Sequence, residues 1–480
     1  MRTISALSFA VFLAAVAVQG SAAVAAQGAV PGDRAATEHA LNRLAYGPRP
    51  GEVDKVQRAG LAAWIDEQLN PQRIDDTALA ALLPPLPERP ADVSSQQQAR
   101  QFGRQQVQVL AAQKVLRAAY SERQLEEMLV DFWFNHFNVF AGKGRTSIYL
   151  VDYERDAIRP HVWGSFRDLL GATAQNPAML LYLDNWLSAD PEAAERAADM
   201  ANQRRARRGG AGAQQGAARR PGRAGAARPE QQGPEQQGSA PMPPQAARRR
   251  GLNENYAREL LELHTLGVDA GYTQQDIIEV ARAFTGWTIA NPIDGVFRFT
   301  PALHDRGAKT VLGQTLKAGG GIEDGERVLD LVAAHPSTAR HIATKLARRF
   351  VSDNPPEALV ARVAARFTAT DGNLRETVRA VVTSPEFFAA EYRGAKTKTP
   401  LEFVVSAVRT TGRQVRDGRP LVNALQQLGM MPYMSQPPTG YDDEAETWIS
   451  AGALVTRMNV AQQVAGAQAA AIGGPEFQKR

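Results

Sequence analysis

The sequence predicts an all-α fold, a multi-helix domain with at most one small β-hairpin. Apolar side chains recur along most of the chain at the i, i+3, i+4, i+7 spacing of an amphipathic helix. Helix-start signals also recur: Ser or Thr precedes Gln, Asp or Glu by three residues, or a capping residue directly precedes proline. Only one region is typical of strands, the short apolar runs at residues 296–299 and 310–312.

Residues 251–287 are predicted to form two helices joined by a tight turn. Asn253 is expected to cap the first helix by accepting a hydrogen bond from a free backbone amide, and Gly267 is expected to end it. Thr273 and Asp276 have the spacing of a capping box for the second helix. This span is unusually rich in acids, aromatic rings and histidine, so we expect it to lie at the centre of the protein.

The first 26 residues are predicted to be a secretory signal peptide. Met1 and Arg2 provide a short basic start, residues 4–18 are mostly apolar, and residues 23–25 form a small-x-small site. The apolar run is short for a membrane span, and a retained N-terminal anchor is the alternative interpretation. We therefore expect a periplasmic or secreted protein with no transmembrane segment after signal cleavage.

An insert of distinct composition interrupts the helical pattern. Residues 190–250 are mainly Ala, Arg, Gly, Gln and Pro, and they have too few large apolar side chains to fold, so we predict disorder. Residues 35–189 and 251–465 are then the N-terminal and C-terminal helical parts of a single domain. Residues 201–250 carry eleven arginines and two glutamates, a local net charge of +9. Because the net charge of the whole chain is +5, the rest of the chain has a net charge of −4. The insert is either a plain linker or an arm that contacts an anionic polymer or surface.

The chain of 480 residues contains no cysteine, which excludes several classes of chemistry. Disulfides, thiolate metal sites, cysteine nucleophiles and iron–sulfur clusters all require this residue. The HExxH motif of zinc hydrolases and the G-x-S-x-G motif of serine hydrolases do not occur either. No recognised catalytic motif therefore identifies a reaction.

A small pool of His, Glu and Asp side chains provides the candidate functional residues. The catalytic candidates are Glu259, Glu262, His264 and Asp305, and the candidate metal ligands are His136, His304 and Glu259. Imidazole and carboxylate together suit zinc, manganese or iron, so a divalent metal ion is the cofactor that this hypothesis expects. Because none of the seven histidines has metal-motif spacing, such a site must be assembled from distant segments. The alternative is that these side chains are helix caps and buried hydrogen-bonded groups.

The helix that carries Glu259 and Glu262 allows two interpretations. With α-helical spacing, these two residues share a face with Asn255. In the first interpretation they are a catalytic pair, because two neighbouring carboxylates can act as acid and base if burial separates their pKa values. With the same spacing, Glu254, Arg258 and Glu262 form a row that is more typical of a salt-bridge ladder.

Several segments resemble one family of exported bacterial proteins. They include LNRLAYGPRPGEV, FWFNHFNVF, FRDLLGATAQNPAMLLYLDN, NENYARELLELHTLG, ARAFTGWT, HPSTARHIATKLARRFV and PLEFVVSAVRTTG. Over about residues 35–460 the chain resembles the family known as domain of unknown function 1800. The resemblance implies a mostly helical, exported protein, commonly encoded beside a second exported protein similar to sulfatases and alkaline phosphatases. It implies no reaction and no catalytic residues. The chain departs from the family pattern in the 190–250 insert and at residues 437–441, where the family usually has a Gly-Trp pair.

Two functional hypotheses follow. The first is a binding or accessory protein that works with another exported, sulfatase-like protein, with the arginine-rich insert as a flexible arm. The second is a metal-dependent hydrolase that uses the His, Glu and Asp pool. Convergence of His136, the acids of residues 254–264 and His304 on one cleft would favour the second hypothesis.

Overall fold

A computed structural model of the chain describes residues 30–88, 96–193, 195, 251–290 and 295–480. Most of these residues lie in helices, which confirms the predicted fold class. The predicted signal peptide, residues 1–26, lies outside the described residues, as does the predicted insert from residue 196 to residue 250. The predicted division into domains therefore stays a prediction.

Nine α-helices precede residue 190 in the part of the chain that the structure describes. They are α1 (Arg34–Leu44), α2 (Glu52–Ala59), α3 (Leu61–Gln68), α4 (Thr77–Ala80), α5 (Gln96–Tyr120), α6 (Gln124–His136), α7 (Leu150–Asp152), α8 (Phe166–Gln175) and α9 (Pro177–Tyr182). A π-helix, π1 (Tyr153–Ile158), directly continues α7. Asn176 caps α9 by accepting a hydrogen bond from the Ala178 amide, as its position before Pro177 predicts.

Twelve α-helices follow residue 251 in the described part of the chain. They are α10 (Asn255–Glu259), α11 (Gln274–Ala283), α12 (Ile322–Ala333), α13 (Pro336–Phe350), α14 (Glu357–Ala369), α15 (Leu374–Val382), α16 (Pro385–Phe388), α17 (Pro400–Thr411), α18 (Arg419–Gln427), α19 (Ala445–Trp448), α20 (Ala451–Ala465) and α21 (Ala469–Gly473). The predicted capping box of Thr273 and Asp276 is present at the start of α11, and a second one, Thr399 with Glu402, starts α17. None of the helices that the structure describes is long and apolar enough to cross a membrane.

The strands form two hairpins instead of one. Strand β1 (Trp287–Ile289) pairs antiparallel with β2 (Phe297–Phe299), and β3 (Lys309–Val311) pairs antiparallel with β4 (Gln314–Leu316). The two predicted strands at residues 296–299 and 310–312 therefore exist, but the prediction that they pair with each other is wrong. Each has a closer partner in the chain, and Leu312 with Gly313, both at positive φ, forms the tight turn between β3 and β4.

The helix after Asn253 is not a continuous α-helix. It is α-helical in α10 and then widens into a second π-helix, π2 (Leu260–Thr265). Asn253 accepts a hydrogen bond from the Asn255 amide, as expected of a capping side chain. The wider π turn rotates every later side chain away from the position that 3.6 residues per turn predicts, so Glu262 does not share the face that α-helical spacing assigned to it with Asn255 and Glu259.

The centre of the protein is built around this helix. Leu260 and Leu261 are fully buried, and they belong to one hydrophobic cluster that includes side chains from both sides of residues 194–250. Ser188 and Gly251 form an isolated parallel bridge, so the ends of the predicted insert meet in space. The helix that was expected at the centre of the protein therefore packs into its hydrophobic core.

Candidate functional site

A cleft of about 200 Å³ opens between α6, π2, α13 and the loop of residues 430–444. Its polar lining includes His136 at the end of α6, His341 and Lys345 on α13, and Tyr441 on the loop. Ligand sites in proteins are typically concave and mostly apolar, with a few convergent polar groups. This cleft has that composition, so we describe it as the candidate site.

Two asparagines of the FWFNHFN segment fasten one wall of the cleft. Asn135 donates from Nδ2 to the Tyr441 carbonyl at 2.7 Å and accepts from the Tyr441 amide, also at 2.7 Å. Asn138 donates to the carbonyls of Pro437 and Ser435 at 2.7 and 3.1 Å. These side-chain bonds add to the backbone bonds of the loop, such as the one that the Ala141 amide donates to the Tyr433 carbonyl.

Two histidines attach α6 and α13 to the last turn of π2. His136 Nε2 donates to the His264 carbonyl at 3.0 Å, and His341 Nε2 donates to the Leu263 carbonyl at 3.2 Å. Carbonyls in the last turn of a helix lack intrahelical partners, so they accept readily from side chains. A carbonyl can only accept, so in the neutral imidazoles Nε2 carries the proton and Nδ1 has a free lone pair.

Burial keeps the three imidazoles of this cluster neutral. The ring centroid of His136 lies 6.3 Å from that of His264 and 6.0 Å from that of His341. Burial, together with the nearby Lys345 charge, lowers the pKa of His264 to about 3 and that of His341 to about 4. The same causes lower the pKa of His136 well below its usual value. At neutral pH the cluster therefore contributes lone pairs and no positive charge.

Lys345 lies one helical turn after His341 on α13. Its side chain is partly exposed through the cleft, and it makes no hydrogen bond or ion pair with any residue that the structure describes. Burial, reinforced by the neighbouring Arg348, lowers the pKa of Lys345 to about 8. By contrast, Arg348 lies 3.1 Å from Glu444, and Arg349 pairs with several acids. Lys345 is thus the one unpaired lysine or arginine among the described residues that line the cleft.

A buried ion network forms the floor beneath Lys345. Arg349 lies 3.1 Å from Glu402 and 3.0 Å from Asp443, and it lies 3.6 Å from Asp131. Arg480 approaches the same Glu402 oxygen at 3.0 Å. Removal of one member of such a network leaves its partner charge buried and unpaired, which is strongly destabilising. The network therefore holds α6, α13 and the 430–444 loop in a fixed arrangement.

One comparison with known proteins identifies a relationship. A family model described as a protein of unknown function, DUF1800, matches residues 39–478. The chain belongs to the DUF1800 family. No curated protein and no solved structure matches this chain. The match contains every element of the cleft, and the resemblance predicted from the sequence motifs is confirmed.

In this DUF1800 protein the candidate residues Glu259 and Glu262 do not line the cleft. Both are half-buried, and burial followed by the Glu262 charge raises the pKa of Glu259. Of the predicted salt-bridge ladder, only the pair between Glu254 and Arg258 forms, at 3.5 Å. The π-helix rotates Glu262 away from the helix face that carries Arg258, so the predicted ion pair between Arg258 and Glu262 does not form.

His304 and Asp305 belong to a separate buried network. His304 Nδ1 donates to the Thr285 carbonyl at 2.8 Å, and its Nε2 lies 3.2 Å from Asp324. Asp305 accepts from Arg282 at 2.7 Å, and although burial opposes the change, this bond holds the pKa of Asp305 below its usual range. Both side chains have their partners inside the fold, so they join the β-hairpin region to α11 and α12.

The candidate metal ligands His136, His304 and Glu259 therefore lie in three different clusters. In the part of the chain that the structure describes, no group of three or more His, Asp or Glu side chains is arranged to hold a metal ion. Of the sequence candidates in the described structure, His136 and His264 are the pair that meets beside the cleft. The convergence of His136, the 254–264 acids and His304 that would favour the hydrolase hypothesis does not occur among the described residues.

Sequence reasoning missed His341, Lys345 and Tyr441. The informative spacing is the four residues from His341 to Lys345, which places both side chains on one face of α13. A lysine beside the apolar stripe of α13, followed by Arg348 and Arg349 with no acid in the helix, was the available signal. Tyr441 gave no local signal, because its place in the cleft depends on Asn135.

Proposed function

We propose that this protein is a binding protein that takes a small organic anion into the cleft beside Lys345. The observation that carries the proposal is that the Lys345 amine is largely desolvated, reaches an open cleft and makes no ion pair in the described structure, while the charges of Asp443 and Asp442 offset part of the lowering of its pKa. An unpaired cation in such a place costs free energy, and a bound anion would offset that cost. The other lysine and arginine side chains of the cleft are already paired.

The neighbouring groups support an anion with a polar organic body. His136 Nδ1 is buried and has no hydrogen-bond partner within the described structure, so it offers a lone pair to a ligand N–H or O–H group. The aromatic ring of Phe132 and the side chains of Leu263 and Met430 supply apolar lining. The volume of about 200 Å³ lies below the usual range for drug-sized ligands, so we propose a ligand of only a few carbon atoms.

Binding to a panel of small anions tests this proposal. Isothermal calorimetry of the full chain with acetate, succinate, glyoxylate and phosphate is expected to show saturable binding of at least one carboxylate. Lys345→Met is expected to lose that binding, while Lys55→Met, which removes an exposed lysine of α2, is expected to retain it. Absence of saturable binding to every member of the panel, or unchanged binding by Lys345→Met, would overturn the proposal.

For the wider role we propose an exported accessory protein that works with a second exported, sulfatase-like protein. Support comes from the family resemblance and from the lack of a recognised catalytic motif in 480 residues. Co-purification from envelope extract, with and without residues 190–250, tests this role. Recovery of a lone monomer from both preparations would reject it. The alternative of a metal-dependent hydrolase is not proposed, because its candidate ligands lie in separate clusters of the described structure.

A further inference from the structure

We propose that the Lys345 amine forms a reversible imine with a carbonyl group of the ligand, so that the ligand class is a small 2-oxo acid or a related aldehyde acid. This inference rests on the proposed binding function and specifies its ligand. It is based on three geometric facts: the amine makes no hydrogen bond or ion pair in the described structure, it lines an open cleft, and His136 and His341 line the same cleft.

The environment of Lys345 makes its amine available as a nucleophile. Lysine becomes nucleophilic when it is desolvated or placed beside another cation, because both effects favour the neutral amine. Both conditions are present here, since burial and Arg348 lower the pKa of Lys345 to about 8. Other buried lysines differ in this respect: Lys309 donates to Asp324 at 2.7 Å, and Lys398 donates to Ser406 at 2.9 Å.

The step is balanced with groups that the protein and ligand provide. The Lys345 lone pair attacks the carbonyl carbon, the C=O π electrons move to oxygen, and one proton passes from nitrogen to that oxygen to give a carbinolamine. Loss of water then forms the C=N bond, so both hydrogens of the amine and the carbonyl oxygen leave as water. The unprotonated Nδ1 of His136, or of His341 one turn earlier on α13, accepts and returns the proton during these transfers.

A 2-oxo acid fits both requirements of the cleft. Its carboxylate lies one bond from the carbonyl carbon, so the anion stays beside Lys345 when the bond forms. The neutral imine nitrogen takes up one proton from solvent and becomes a cation, so the charge pairing that drives binding is present after the covalent step. Neutral aldehydes lack this second interaction, so they are expected to react more slowly.

Reductive trapping on the full chain tests the imine. Incubation with glyoxylate and sodium cyanoborohydride, followed by proteolysis and mass spectrometry, is expected to place one carboxymethyl group on Lys345. At pH 7.5 the rate at Lys345 is expected to exceed that at exposed Lys55 at least about tenfold, because the lowered pKa of Lys345 leaves more of its amine neutral than the ordinary lysine value of 10.5 would. Propionaldehyde under the same conditions is expected to label Lys345 more slowly than glyoxylate does.

The variants separate the possible outcomes. Lys345→Met should lose the trapped product while its circular dichroism and Tm show a folded protein. His341→Gln, which keeps a donor for the Leu263 carbonyl, should slow trapping without abolishing glyoxylate binding. If glyoxylate binds but Lys345 is labelled no faster than Lys55, the imine is rejected and the binding function stands. If glyoxylate neither binds nor labels Lys345 while another carboxylate binds, only the ligand class fails.

Discussion

Asn135 and Tyr441 lie 306 residues apart and exchange two hydrogen bonds of 2.7 Å, in which the Asn135 side chain binds the backbone amide and carbonyl of Tyr441. Gly440, the residue before Tyr441, also lies close to Asn135. A Cβ atom at Gly440 would lie only 2.4 Å from the backbone carbonyl oxygen of Asn135. One asparagine at the end of α6 thereby sets the position of a loop that lines the cleft.

Asn135→Ala is expected to loosen this wall. The change removes two hydrogen bonds and leaves two backbone groups of Tyr441 without partners, which should lower the free energy of unfolding by about 1–3 kcal/mol. Asn42→Ala is the matched control, because Asn42 is also half-buried in a helix and donates only to the Glu38 carbonyl one turn away. Urea denaturation measures the stability, and limited proteolysis should show faster cleavage in residues 430–444 for Asn135→Ala alone. Equal losses in both variants would contradict the proposed role of Asn135.

Gly267→Ala is expected to disturb both the end of π2 and His341. Gly267 has φ +93°, and a Cβ atom there would lie 2.9 Å from His341 Nδ1. Gly319 has the same φ of +93° with nothing within 4 Å of a Cβ atom, so Gly319→Ala measures the backbone strain alone. We expect Gly267→Ala to cost about 1–3 kcal/mol more than Gly319→Ala in urea denaturation, because the imidazole must move. If the two variants lose the same stability, the close approach of Gly267 to His341 is not present in solution.

Arg480→Ala is expected to break the ion network beneath the cleft. The Arg480 side chain is about 1% exposed and lies 3.0 Å from Glu402, and it also donates to the Arg349 carbonyl. Loss of one partner from a buried ion network costs about 3–5 kcal/mol, because the remaining carboxylate is left with less compensation. Arg419→Ala removes an arginine of the same type that pairs with Asp417 in solvent, and it should show no measurable change. Thermal denaturation of the two variants distinguishes the outcomes, and similar Tm values would refute the network.

Lys345→Met is expected to remove an increase in the stability of the protein between about pH 8 and pH 10.5. The pKa of Lys345 is about 8 in the folded protein and 10.5 for an ordinary lysine. Between these values the unfolded chain binds the proton and the folded chain does not, so wild-type stability should rise with pH from about 8 to 10.5. Below about pH 8 Lys345 adds no pH dependence, because both states hold the proton and the full cost of burying the charged amine is present. Denaturation of both proteins at pH 7, 8, 9 and 10 measures the difference.

The variant should lack this rise, and at pH 7 it should be at least as stable as the wild type because it no longer buries an unpaired ammonium group. Parallel stability profiles for the two proteins between pH 8 and 10 would show that Lys345 titrates normally. A lysine that lowers stability without a structural partner is consistent with a functional role, since stability is often sacrificed at ligand sites.

At the candidate site, sequence patterns did not predict which side chains lie together. Spacing arguments placed Glu259 and Glu262 on chosen helix faces, but the π-helix that begins at Leu260 changed the phase of the side chains that follow. His304 and Asp305 follow the central helix closely in the sequence, but they do not lie beside His264. Their polar groups bind Thr285, Arg282 and Asp324 instead. Local sequence contains neither the helix type nor the identity of distant partners.

The sequence by itself determined the helical class, the family and many helix starts. The capping boxes at Thr273 and Thr399 depend on neighbours three residues away, so the chain specifies them without tertiary contacts. Only the tertiary structure decided which polar groups share a cleft, because His136, Lys345 and Tyr441 come from segments far apart in sequence. It also decided the state of Lys345, since desolvation depends on atoms that α6, α13 and the 430–444 loop bring together.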